Sequence, residues 1–476
     1  MSERCWGARG WHVGLLVAWI CSAGSAAAEA VPGARTLALR EVLASAERAH
    51  PLMQAAGMER RLAEGELESA EGGFDLSWKA RATLTPLGYY DSLRAETTLE
   101  KPTEWWGASA FAGWKLGTGA FPIYDGRHET LDYGELRAGV QVPLWRNGPI
   151  DRRRATLERA EVGLQIAELA VAQQRLELRR AAAQRYWSWV AAGRRVEIGK
   201  ALLENAVQRD AGMLQRVNTG DLPPIERVEN QRAIEQRRGL LAQALRGLEQ
   251  AAIELGLFLR DERGEPTLPS PERLPGAFPD LGVVEPSEPA GDVRRARERR
   301  PEARRFSLQE GQQRVELEWA ENQLAPGIDV QVAIAKDFGP GSAARPDLSQ
   351  TVLETSVLLD LPLQTRSARG RVAVATASAE RLGQHARLAR DRITADVRDA
   401  HSAIGVARER IQATRREVAL ALELEAGERA RFEQGDSHLL IVNLREQQTA
   451  EAQLREVDAV LDYFRAAADL EAARGD

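Results

Sequence analysis

The sequence predicts a mainly α-helical protein with a β-barrel contribution, in which one plan of helix, strands, very long helix and return helix occurs twice. Three observations carry that reading. Pro51 is followed after 19 residues by Ala70-Glu71, and Pro301 after 19 residues by Ala320-Glu321, an offset of 250 in both cases; such self-similarity marks a duplicated architecture. The chain has 21 prolines, yet none falls between 150 and 222 or after 362. An interior proline costs a helix about 3 kcal/mol, so these stretches are free to run as helices of about 65 residues, on the order of 100 Å long. Finally, four segments alternate apolar and polar residues with period two, the mark of half-buried strands.

Residues 1–28 read as a secretory signal peptide. Arg4 and Arg9 precede an apolar run through Val13, Leu15, Leu16, Val17, Trp19 and Ile20, and Ser25-Ala26-Ala27-Ala28 supplies the small-residue cleavage site. Cys21 follows Ile20 rather than a small residue, which argues against acylation. Cys5 and Cys21 are the only cysteines, so the mature chain is expected to hold no disulfide and to rely on packing in an oxidising compartment. Loss of Glu3, Arg4 and Arg9 moves the formal charge from -6 to -7. A mildly acidic surface of mixed sign gives no basis for a nucleic-acid partner.

The first repeat is expected over 29–263, with a helix, strands within 76–145, a long helix over 149–217 and a return helix over 224–260. In the long helix Val162, Ile166, Leu169, Leu176, Ala183, Tyr186, Trp187 and Val190 recur at steps of three and four and form a packing face. Residues 264–291 form a Pro-rich linker of semi-rigid character, with seven prolines between 264 and 289. The second repeat, 292–476, places strands within 327–363, a long helix over 365–434 and a return helix over 437–473.

The strands are the informative part. Leu76, Trp78, Ala80, Ala82 and Leu84 alternate with Ser77, Lys79, Arg81 and Thr83. Leu136, Ala138, Val140, Val142 and Leu144 alternate in the same way, as do Ile328, Val330, Val332 and Ile334, and a fourth run carries Leu353, Val357, Leu359 and Leu361. Their length suits a tilted crossing of a bilayer. About eight strands are the practical minimum for closure, and an open edge in lipid strands backbone groups at several kcal/mol each. Four per chain therefore demand an oligomer, and three copies give a twelve-stranded barrel. The first strand region carries extra material over 88–134, in which 94–117 read as an added hairpin whose place the sequence leaves open: barrel wall, plug or external projection. Trp78, Trp105, Trp106, Trp114 and Trp145, with Tyr89, Tyr90, Tyr124 and Tyr133, all fall in this region, and such aromatics are expected at the membrane interface.

Over essentially its whole mature length the chain resembles the TolC-like outer-membrane efflux protein family. The strings that carry the resemblance are Ala49-His50-Pro51, Arg300-Pro301-Glu302, Val142-Pro143-Leu144-Trp145-Arg146-Asn147-Gly148, Phe432-Glu433-Gln434-Gly435-Asp436-Ser437 and Asn443-Leu444-Arg445-Glu446-Gln447. The resemblance implies a homotrimer in Gram-negative outer-membrane lipid, with a helical tunnel in the periplasm that meets a periplasmic adaptor and, through it, an inner-membrane pump. It makes Thr219-Gly220-Asp221-Leu222-Pro223-Pro224 and Gln434-Gly435-Asp436-Ser437-His438 the periplasmic tips. There, glycine is suited to end one helix and aspartate to cap the next. It also implies an acidic constriction at Glu226 and Glu229; the equivalent positions of the second half are Ile441 and Leu444, so one of two acidic rings is expected to be missing.

No catalytic constellation, metal-ligand spacing or phosphate-binding glycine loop stands in the sequence, and no cofactor is expected. The reading that competes with a passive duct is a periplasmic coiled-coil scaffold with a soluble β-module. That protein would come free of membranes without detergent.

Overall fold

The computed structural model describes residues 35–121, 128–281, 288–340 and 348–476; the expected signal peptide and Tyr124 lie outside them. The elements in chain order are α1 (Leu39–Ala49), α2 (Pro51–Glu71), β1 (Ser77–Thr85), β2 (Ser92–Pro102), β3 (Ser109–Gly119), β4 (Glu135–Pro143), α3 (Arg152–Asn218), α4 (Pro224–Gly256), α5 (Pro289–Arg299), α6 (Pro301–Asn322), β5 (Gly327–Asp337), β6 (Val352–Asp360), α7 (Arg366–Glu433) and α8 (Leu439–Arg474). Among the described helices none is long and apolar enough to cross a membrane.

The opening helix of each half is broken at the residue before a proline. His50 and Arg300 take extended backbone, with ψ of 134° and 129°, because the proline ring excludes the helical region for its predecessor. The following proline then sits at the first helical position, where no N–H is needed. His50 also caps α2: its Nδ1 accepts the Leu52 N–H at 3.2 Å, and its ring stacks on Phe258. The two opening strings of the duplicated frame thus encode one device, a proline corner, at an offset of 250.

The long helices α3 and α7 span 67 and 68 residues. Asp151 caps α3 by accepting the Arg154 N–H at 2.9 Å. Stability along such lengths comes from packing, and α3 lies against α1, α2, α4, α6 and α8, while α7 lies against α5, α6 and α8. The main core sits partway along the column. Tyr186, Trp187, Trp189 and Val190 of α3 meet Tyr463 and Phe464 of α8, Ile404 and Ile411 of α7 and Val42 of α1. Trp187 stacks on Phe464 at 4.1 Å between centroids. The linker contributes as well: Leu274, Phe278 and Leu281 pack on this core, and Phe278 stacks on Phe464 at 5.6 Å. Gly193 admits the approach, since any side chain there would collide with Leu274.

All six strands form one antiparallel sheet in the order β1-β2-β3-β4-β5-β6. The four predicted strands are β1, β4, β5 and β6. The added hairpin is β2–β3, and it lies inside the sheet between β1 and β4, which raises the count from four strands per copy to six.

Candidate functional site

Two regions stand at opposite ends of the helical column: the sheet, at the start of α3 and α7, and the turns where those helices reverse.

In an antiparallel sheet, directly opposed residues share a face, so the register assigns every side chain. On one face lie Trp78 with Leu99, Leu84 with Leu93, Ala112 with Ala138, Trp114 with Leu136, Val140 with Val332, Val330 with Val357 and Ile334 with Leu353. The other face carries Lys79, Arg81, Glu96, Glu100, Lys115, Glu135, Arg137, Gln141, Gln331 and Glu354. Its charges are paired across strands: Lys79 with Glu100 at 2.6 Å, Lys115 with Glu135 at 3.0 Å and Arg137 with Glu354 at 2.9 Å. The apolar face is uncovered, with Trp78 and Leu353 each 71% exposed. A contiguous apolar surface of this extent marks contact with lipid or with another chain. The edge strands β1 and β6 each have one sheet neighbour among the described strands.

The aromatic residues fall at two levels. Trp78, Trp105, Trp106 and Trp145 are at the end of the sheet nearest the helices, by the start of β1, the β2–β3 turn and the exit from β4. Tyr89, Tyr90 and Tyr133 are at the far end, with Trp114 in the adjoining half of β3, where its indole N–H donates to the Tyr133 carbonyl at 2.8 Å.

At the other end the two reversals are congruent. Gly220 and Gly435 both take φ of +86°. The Asp221 N–H reaches the Arg216 carbonyl at 2.9 Å and the Gly220 N–H reaches Val217 at 3.2 Å; Asp436 to Arg431 at 2.9 Å and Gly435 to Phe432 at 3.1 Å repeat the pattern. This is the Schellman ending, for which glycine is preferred because the left-handed backbone penalises a Cβ. The expectation that the aspartates cap the following helices is corrected. Asp221 accepts the Thr219 hydroxyl at 2.6 Å, and neither α4 nor α8 has a side-chain cap. At the first turn the reason is local: Pro223 and Pro224 come next, and Pro224 at the first helical position presets φ and has no N–H to satisfy. In the second turn Ser437 donates to Glu428, and His438 precedes α8 without capping it. The two turns are brought together by a small apolar cluster in which Leu222 and Leu439 pack with Met213, Val217 and Phe432.

Of the acidic pair, Glu226 is in the first turn of α4, where the helix dipole favours it. Glu229 is committed to Arg232 at 2.7 Å. Ile441 and Leu444, in the corresponding stretch of α8, are both exposed.

A feature that the sequence did not reveal lies just above the tips. Glu446 of α8 is 1% exposed and accepts from Arg237 of α4 at 2.8 Å, from Arg209 of α3 at 2.8 Å on both oxygens, and from Arg429 of α7 at 3.2 Å. Asn443 accepts from Arg209 and Arg237 beside it. Four helices thus converge on one carboxylate. Burial alone raises the pKa of Glu446, but the charged hydrogen bonds from Arg209 and Arg237 outweigh it and hold the group below its ordinary value. The string Asn443-Leu444-Arg445-Glu446 is distinctive in sequence, yet nothing in a helix rich in Arg and Glu separates a buried carboxylate from a solvated one.

Among the described residues no group of three or more His, Cys, Asp or Glu side chains is placed to share a metal ion. His401 is a partner of the buried Asp292, at 2.9 Å, alongside Arg474 at 2.7 Å, and this contact ties α5 to α7 and α8.

No family model and no curated relative matches the chain in sequence. In structure it is similar to the outer-membrane channel OprN, with TM-score 0.66 and 15% identity over 92% of this chain and 89% of that one. It is similar to the CmeC outer-membrane channel of Campylobacter jejuni, with TM-score 0.63 and 12% identity over 92% and 85%. It also matches the outer-membrane protein VceC of Vibrio cholerae, with TM-score 0.64 and 15% identity over 92% and 96%. The duplicated helical column with its strand sheet at one end is therefore the TolC-like fold of outer-membrane channels.

Proposed function

We propose that the chain is the outer-membrane duct of a tripartite efflux or export system, a homotrimer that conducts its cargo passively from a periplasmic adaptor and inner-membrane pump to the exterior. One observation carries the reading: a mainly apolar face, with Thr97 and Thr355 within it and Lys336 opposite Leu136 at its far end, runs across six strands whose edges β1 and β6 have no second neighbour among the described strands of a single copy. Strands of nine to eleven residues, tilted by about 45°, rise about 21–26 Å, the height of the apolar band of a membrane barrel. The edges also match one another. β1 runs away from the helices and β6 runs back toward them, so β6 of one copy meets β1 of the next antiparallel, and closure leaves no edge in lipid.

The polar face then lines the lumen, the two aromatic levels lie at the headgroups, and the helices extend into the periplasm. The Gly220 and Gly435 turns form the far end, the surface offered to the adaptor. Conduction along such a duct requires no catalytic group, and its energy comes from the pump. A soluble β-module is disfavoured by the uncovered apolar face, which would aggregate in water. Reconstitution in planar bilayers tests the proposal. Discrete conductance steps from the purified protein support it; protein that neither inserts nor conducts overturns it.

A further inference from the structure

We infer that the β2–β3 hairpin is part of the lipid-facing wall, so that each copy contributes six strands and the trimeric barrel closes at eighteen. The inference rests on the duct proposed above and fixes the width of its outer segment.

Topology gives the first reason. β1 pairs with β2 over all nine of its residues, from Ser77–Glu100 to Thr85–Ser92, and β2 pairs with β3 over eleven, from Ser92–Gly119 to Pro102–Ser109. β1 and β4 are not neighbours. A four-stranded wall is therefore not available by lifting the hairpin out, because β1 would lose the partner that holds it.

The second reason is chemical. A plug is wet on every side, and a projection beyond the membrane has no use for an apolar face. The hairpin alternates instead. Ala95, Leu99, Ala112, Trp114 and Leu116 share the face of Trp78 and Val140, whereas Glu96, Glu100 and Lys115 share the face of Lys79 and Glu135.

The third is the way the hairpin is anchored. Trp106 and Gly107 both take positive φ, 49° and 67°, and the Ala108 N–H returns to the Trp105 carbonyl at 2.9 Å. That is the turn whose twist suits a two-residue hairpin. It docks on the corner between β4 and α3: a side chain at Gly107 would strike the Asn147 carbonyl, and one at Gly148 would approach the Trp106 indole nitrogen to 2.8 Å. The turn thus ends level with Trp145, at the same rim as the other strands.

The geometric consequence is large. With strands about 4.8 Å apart and tilted about 40°, twelve give a backbone radius of about 12 Å and eighteen a radius of about 18 Å. Allowing about 5 Å per wall for inward side chains, the clear width rises from about 14 Å to about 26 Å. An α-helix with its side chains is about 10–12 Å across. The narrower barrel passes one helix; the wider passes two abreast, so the outer mouth is not what sieves the cargo.

Single-cysteine labelling of the full-length protein in liposomes tests this, with Cys5 and Cys21 absent and a water-soluble maleimide as the probe. The reference pair is Gln331→Cys and Val332→Cys in β5, and the hairpin set is Thr98→Cys against Ala95→Cys and Ala112→Cys. We expect Thr98→Cys to label at least tenfold faster than Ala95→Cys and Ala112→Cys, matching the contrast between Gln331→Cys and Val332→Cys. If the reference pair alternates while Ala95→Cys and Ala112→Cys both label as fast as Thr98→Cys, the hairpin is outside the wall and the inference is overturned with the duct intact. If the reference pair does not alternate, the barrel itself fails, and the inference fails with it.

Discussion

Arg237 and Glu446 meet at 2.8 Å with side chains only 5% and 1% exposed. One belongs to α4 and the other to α8, so this ion pair joins the helical hairpin of the first repeat to that of the second, close above the tips.

Removing one member of a buried pair leaves the other charge without compensation, at a cost of about 3–5 kcal/mol. Glu446→Leu is expected to lower the urea midpoint of helix unfolding by a corresponding amount, and Glu446→Gln by less. The sign with pH follows from the depressed carboxyl. Its stabilisation is complete above the ordinary value of 4.5 and is lost as pH falls through the lower folded value. Acid unfolding curves of the parent and of Glu446→Gln should therefore converge as the pH drops. Parallel curves would show that the carboxylate is not the group responsible.

The tip glycines allow a cleaner test of backbone strain. A Cβ at Gly220 or Gly435 meets nothing within 4 Å, so substitution there is penalised by the left-handed φ alone. Gly435→Ala is expected to cost about 1–2 kcal/mol, and Gly435→Asn clearly less, because asparagine tolerates that conformation. Chemical denaturation orders the three proteins; alanine equal to glycine would contradict the Schellman assignment.

Two tryptophans should separate column from sheet. Trp187 is buried against Phe464, and Trp187→Ala is expected to cost about 3–5 kcal/mol in helix unfolding. Trp78, at 71% exposure on the apolar face, should leave helix stability in detergent unchanged when replaced by Ala, while weakening retention in lipid vesicles. Equal effects on both readouts would argue against the placement of Trp78 at a lipid boundary.

The acidic positions predict how the conductance responds to multivalent cations. Glu229 is engaged by Arg232, and Ile441 and Leu444 carry no charge, so block is expected to be weak and to disappear in Glu226→Gln/Glu229→Gln. Leu444→Asp should strengthen it. Block that vanishes only when Ile441 or Leu444 is altered would contradict the assignment.

Much of this architecture was legible in the residues, for identifiable reasons. Proline exclusion marked α3 and α7 because one misplaced ring breaks a helix, and period-two alternation marked β1, β4, β5 and β6 because a sheet with two unlike faces leaves that trace. The β2–β3 hairpin alternates too, through Leu93, Ala95, Thr97 and Leu99, but pairing order is a long-range property, and only the register locates these strands between β1 and β4. The convergence of Arg209, Arg237 and Arg429 on Glu446 was hidden for the same reason: its members are up to 237 positions apart. The capping role expected of Asp221 failed because Pro223 and Pro224 had already supplied a helix start, while α8 starts after His438 with no side-chain cap.

The central claim is that the open edges of one copy are closed by others within lipid. Migration of the detergent-extracted protein from outer-membrane fractions, heated and unheated, tests it most directly. We predict a membrane-bound species that runs unheated at the mass of three chains and collapses on boiling to a single chain. A monomer released from the cell envelope without detergent, with the same mobility before and after heating, would contradict the account.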